Sequence, residues 1–120
     1  MGEIGSRRRR QPAPPHAIFE ALTDFHRDPT RPWLILLKDE RAPAILGAAF
    51  PNLVSWSSIW PRRPDIHIRF DIVDDHHGGS DVRWTLLASD GMVYDASAIG
   101  HMCKRLNELI NKDLRYTFGQ

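Results

Sequence analysis

The chain has 120 residues, with 16 Lys and Arg against 15 Asp and Glu, and a formal net charge of +1. That length fits one domain able to hide roughly two thirds of its unfolded surface, so a real core is expected over residues 1–120. The balanced charge excludes a strongly charged chain of the kind that coats nucleic acid or stays disordered. The single cysteine, Cys103, excludes an internal disulfide and a cysteine-rich zinc site. No stretch approaches the roughly 18 apolar residues of a membrane span, and the start MGEIGSRRRRQPAPP lacks the apolar core of a signal peptide. The expectation is a cytoplasmic protein with no membrane span, no metal and no cofactor.

Residues 1–5 are the part most open to disorder, and a short strand fits within residues 3 to 11. Pro14 and Pro15 then stand at a helix entrance, and Ile18, Phe19, Leu22 and Phe25 recur at one-turn spacing, which predicts an amphipathic helix of about ten residues. Pro29 and Pro32 are expected to stop it, because each lacks an amide hydrogen and restricts its predecessor. WLILLKDERAPAILGAAF reads as a strand, a turn near Asp39 and Glu40, and a second strand around Ala44 to Ala49.

From Leu53 the apolar period is two. LVSWSSIW places Val54, Trp56, Ser58 and Trp60 on one face, and IHIRFDIV places Ile66, Ile68, Phe70 and Ile72 on one face with His67, Arg69 and Asp71 on the other. DDHHGGSD is a hairpin tip in which Gly78 and Gly79 are expected to supply positive backbone angles. The returning strand sets Val82, Trp84 and Leu86 against the same layer, giving an antiparallel meander with one buried face. After Asp90 and Gly91 comes one long helix over 95–115, N-capped by Asp95. Its apolar positions Ile99, Met102, Cys103, Leu106, Leu109, Ile110 and Leu114 span about 140° of a wheel.

A curved sheet with one apolar face needs a cover, and only the C-terminal helix is long enough to provide it. PAPPHAIFEALTD, NLVSWSSIWPRRPDIHIRFDIV, GGSDVRWTLL and RLNELINKDLRY, in that order, resemble SRPBCC (START-like) domains from about Ser6 to Tyr116. The resemblance implies an α+β helix-grip fold, a curved antiparallel sheet wrapped around a long C-terminal helix with an apolar cavity between them. It implies no active-site residue, because the superfamily, which includes polyketide cyclases, lipid and hormone carriers and chaperone co-activators, has no universal catalytic motif. The short span between Asp28 and Pro51 leaves little room for extra helices, so the cavity is expected to be small, open at one end or filled by side chains.

Each chemistry-bearing group has a plainer alternative. Arg7 to Arg10 could form a phosphate-binding arm, but the neutral total charge favours a charged edge strand and no nucleic-acid partner. Asp74, Asp75, His76 and His77 hold metal-ligand atoms, yet neighbours on a hairpin diverge, which favours a solvated turn. No nucleophile-elbow sequence accompanies the Ser, His and Asp residues. Cys103 reads as an inert core thiol. Trp56, Trp60 and Trp84 either line a pocket for a planar apolar ligand or fill the core, with Ser58 and Thr85 as partners for their indole nitrogens. Trp33, on the ambiguous segment, is expected to matter less. Asp113 falls inside the apolar arc, with Asn107 at its rim, and must pair, with a strand arginine such as Arg69 or Arg83 as the plainer reading, lie near solvent at the helix end, or project into a polar cavity where it orients a ligand.

The leading expectation is a domain that binds an apolar, aromatic or amphipathic small molecule between sheet and helix, over Trp56, Trp60, Phe70, Trp84, Leu106, Asn107, Ile110 and Asp113. The alternatives are a polyketide cyclase or dehydratase type of enzyme and a protein interaction module, with a homodimer as a further assembly to consider. Converging ionisable groups in a pocket would favour the enzyme, and a sealed apolar core the interaction module.

Overall fold

A computed structural model describes residues 1–26 and 32–119. In chain order it contains β1 (Gly2–Gln11), α1 (Pro15–Thr23), β2 (Ile45–Ala49), β3 (Leu53–Ser57), β4 (His67–Asp74), β5 (Ser80–Ala88) and α2 (Ala96–Glu108). The last helix continues without interruption through a π-helical segment, Leu109–Leu114, and a final turn, Arg115–Thr117, 22 residues in all. The strands form one antiparallel sheet in the order β1-β5-β4-β3-β2. The α+β helix-grip architecture is therefore present.

Alternation sets the register. Ile68, Phe70 and Ile72 of β4 and Val82, Trp84 and Leu86 of β5 are all buried, and Phe70 lies directly opposite Trp84. Arg69 and Arg83 point to the outer face, as a one-residue slip would not allow. Against this layer pack Met102, Leu106, Leu109, Ile110 and Leu114 of the C-terminal helix and Ile18, Ala21 and Leu22 of α1. Asp95 caps α2 as expected, its Oδ1 accepting from the Ala98 amide at 2.7 Å.

Pro14 and Pro15 open α1, Pro15 filling a first-turn position whose amide would have no helical partner. The helix ends at Thr23, whose hydroxyl donates back to the Phe19 carbonyl at 2.8 Å. Pro29, expected to end it, and Asp28 lie outside the described residues. Gly2–Gly5, the part most open to disorder by sequence, pair with Leu86–Ala88 as the start of β1.

Three local expectations need correction. Trp33–Leu37 forms no strand and pairs with none among the described residues; side chains satisfy part of its backbone instead. Arg105 Nη2 donates to the Ile35 carbonyl at 2.7 Å, and Glu40 Oε1 accepts from the Leu37 amide at 2.9 Å. The turn near Asp39 and the strand at Ile45–Ala49 do form. β3 stops at Ser57, so Ile59 and Trp60 are both buried and the period of two ends there. At the β4–β5 tip, His76 (φ 62°) and Gly78 (φ 89°) take the positive angles. Gly79 is needed for space instead, since a β-carbon there would stand 2.5 Å from the Gln11 carbonyl oxygen.

Candidate functional site

The C-terminal helix lies along β1, close enough that a β-carbon on Gly5 would stand 2.6 Å from Cys103 Sγ. Farther on, the Gln11 side-chain amide donates to the Ile110 carbonyl at 2.9 Å inside the π-helical segment. Segment 33–40 meets the helix through Arg105, while α1 packs on β3 and β4. The layer enclosed by these elements holds most of the residues singled out from the sequence.

They divide into two groups. Trp56 and Phe70 belong to an aromatic cluster, with ring centroids 4.6 Å apart edge to face. Trp56 also stacks on Trp33 at 6.2 Å and meets Phe25 edge-on at 5.3 Å, and its indole N–H donates to the Leu22 carbonyl at 2.8 Å. Trp33 is thus part of the cluster rather than remote from it, its own N–H donating to the Ala21 carbonyl. These rings fill their space and have satisfied donors. Trp60 and Trp84 differ, because both are buried and neither Nε1 has an acceptor among the described residues. A buried donor without a partner forfeits about 1–3 kcal/mol.

Ser58 and Thr85 do not satisfy those nitrogens. The Ser58 hydroxyl is taken by the backbone N–H and carbonyl of Trp60, and Thr85 follows Trp84 in β5, so it projects from the opposite face. Leu106 and Ile110 are fully buried one turn apart. Asn107 accepts from the Asn111 side chain at 2.9 Å, leaving the buried Asn111 Oδ1 unpaired.

Asp113 does not pair with a strand arginine. Arg69 pairs with Asp71 at 3.0 Å and Arg83 donates to the Ser6 hydroxyl, both on the face away from the helix. Burial raises the Asp113 carboxyl above its ordinary value, and the charges of Arg105 and Lys112 offset only part of that. A raised value in the folded state means that the fold favours the proton, so the ionised carboxylate weakens the fold at neutral pH. Asp113→Asn should therefore raise the urea midpoint at pH 7. The gain should fade as pH falls to about 3.8, where the unfolded chain also takes up the proton, and a lowered midpoint at pH 7 would contradict this assignment.

The charged group most deeply set in the layer escaped the sequence reading. Arg105 Nε donates to both oxygens of Glu40 at 2.8 and 3.1 Å, with the two side chains 6% and 1% exposed. Burial opposes the guanidinium's charge, but Glu40, with Glu108 and Asp113 behind it, outweighs that and raises its pKa. Arg105 lies three residues after Met102 and four before Leu109, inside the same apolar arc as Asp113, and that position was its one visible signal. Glu40 carried none, being a turn residue 65 positions away. Cys103 is half-buried, and burial pushes its thiol up, which suits an unreactive packing residue.

No protein-family model and no curated protein matches the chain. Among solved structures it is similar to the Aha1 dimer from Colwellia psychrerythraea, with 17% identity, 96% of this chain and 94% of that chain covered, and a TM-score of 0.65. CalU16 from Micromonospora echinospora shares 18% identity over 90% of this chain and 73% of its own, with a TM-score of 0.60. A START superfamily protein from Mycobacterium smegmatis shares 14% identity over 97% of both chains, with a TM-score of 0.55. With its sheet gripping a long C-terminal helix and these neighbours covering at least nine tenths of its length, the chain has the helix-grip fold of START-like structures.

Proposed function

We propose that the chain is a non-covalent binding domain for an apolar or amphipathic small molecule held between sheet and C-terminal helix. The observation that carries this reading is the pair of buried, unpaired indole N–H groups of Trp60 and Trp84 within the apolar layer. An apolar ligand with one acceptor oxygen would satisfy a donor that the protein leaves open, while its carbon skeleton packs on Leu106 and Ile110. Trp56 and Phe70 act as the fixed wall, and Asn107 and Asp113 as the polar edge. The enzyme alternative is weaker, because the most buried ionisable groups, Glu40 and Arg105, are bound to each other and to backbone rather than left to move a proton.

Titrating the protein with fatty acids of increasing length and with naphthalene derivatives, while following tryptophan emission, tests the reading. Saturable binding is expected, and Trp84→Phe should weaken it by about tenfold, the ratio set by losing one hydrogen bond in a closed site. No saturable binding across the panel would end the proposal.

A second reading, contact with another copy of this chain, has its own support in β2. Every residue of this edge strand is exposed, and Ile45, Leu46 and nearby Phe50 are among the large exposed apolar side chains. The strand carries no charge to discourage pairing, whereas the opposite edge carries Arg7 to Arg10. Light scattering over a range of concentrations distinguishes the two readings.

A further inference from the structure

A cleft of about 340 Å³ opens where the end of β1, the β4–β5 hairpin and the last turn of the C-terminal helix meet, lined by Arg10, Gln11, Pro12, His77, Gly79 and Arg115. It is separate from the tryptophan layer: Gln11 pairs with Ser80, four residues and about 13 Å along β5 from Trp84. We infer that this cleft binds a small oxyanion, a phosphate ester or a carboxylate, that bears a hydroxyl beside its charge.

The charges are arranged for such a ligand. Asp75 is committed within the protein, since its Oδ1 accepts from the His77 and Gly79 amides at 2.7 and 3.0 Å and its Oδ2 accepts from Arg10 Nε at 2.8 Å. That last bond holds Arg10 by its inner nitrogen and leaves both terminal nitrogens without an acceptor among the described residues. Arg115 has no carboxylate partner among the described residues, and neither does the His77 ring. Two guanidinium groups therefore line the cleft, and no carboxylate is among its lining residues. The carbonyl end of a helix repels anions, and Arg115 in its last turn counters that field.

Gln11 supplies the second half of the recognition. It is fully buried and its Nε2 is fixed on the Ile110 carbonyl, which orients the amide, while its Oε1 is buried with no donor among the described residues. An acceptor held in place beside two guanidinium groups calls for a ligand with a donor next to its negative charge. A protonated phosphate oxygen or the hydroxyl of a 2-hydroxy acid meets that requirement. The Ile110 carbonyl belongs to the π-helical segment, a helix distortion frequent at functional sites.

Nuclear magnetic resonance titration of the 120-residue chain at constant ionic strength tests the site, with inorganic phosphate and lactate as probes and sulfate and acetate as their hydroxyl-free counterparts. The expected result is saturable shifts at the Gln11 side-chain amide, His77 and Gly79, with phosphate and lactate binding more tightly than sulfate and acetate. Arg115→Gln removes no internal ion pair and should weaken phosphate by about tenfold, whereas Arg8→Gln, on the exposed part of β1, should leave it unchanged. No saturable shift at these groups, or equal weakening by Arg8→Gln and Arg115→Gln, would overturn the inference. Equal binding of each probe and its counterpart would overturn the part assigned to Gln11.

Discussion

Replacing Glu40 by glutamine is expected to destabilise the protein by about 3–5 kcal/mol, because it leaves the Arg105 guanidinium buried beside a neutral amide. The loss should be felt locally first. Glu40 holds the Leu37 amide, and Arg105 holds the Ile35 carbonyl, so the two side chains tie segment 33–40 to the helix. Hydrogen exchange at the Leu37 amide should accelerate more than exchange at the centre of β4. Replacing both partners, Glu40→Leu with Arg105→Met, should recover most of the stability, since a buried ion pair exchanged for apolar groups of similar volume is often neutral. Urea denaturation of the three variants measures this, and a cost below about 1 kcal/mol for Glu40→Gln would show that the pair behaves like an exposed one.

Cutting Leu106 to alanine should cost about 2–5 kcal/mol, part from lost transfer energy and part from the cavity left behind. Leu106 has no exposed surface and lies on the helical face that meets the sheet layer of Phe70, Trp84 and Leu86. Neighbours fixed by the hydrogen-bonded ladder collapse poorly into a void, which favours the upper part of that range. Leu106→Met, which keeps the volume, should cost less than about 1.5 kcal/mol. An unchanged denaturation midpoint for the alanine variant would mean that this face does not carry the core.

The elements legible in the sequence are those whose signal is local. Alternation in Ile66–Ile72 and Val82–Leu86 set both the strands and their buried faces, and the Asp95 cap with the apolar arc from Ile99 to Leu114 set the helix. Illegible features depend on partners distant in the chain. Trp33–Leu37 has strand-like composition, but the ladder it would need is replaced by an arginine 70 residues away. The donors of Trp56 and Trp60 looked equivalent by sequence, and only the approach of Leu22, 34 residues earlier, satisfies one of them. Arg105 sat in the same arc as Asp113, yet a long basic side chain on a helix usually reaches for water, which made its burial easy to miss. The π-helical segment has no local signature either, and Gln11, which takes up one of its carbonyls, lies 99 residues upstream.

The pairing of β1 with β5 has a consequence for the order of events during synthesis. Gly2 lies opposite Ala88 and Gln11 opposite Ser80, so β1 leaves the ribosome roughly 70 residues before the strand it needs. At translation speeds of about 5–20 residues per second, it waits for several seconds with its backbone unpaired. The β2–β5 meander can zip up in chain order, whereas β1 must close the longest loop in the sheet and docks last. Neighbouring nascent chains on one messenger present the same waiting strand, and four successive arginines make their association costly. The arginines of this edge thus guard it most during translation, before β5 exists to receive it.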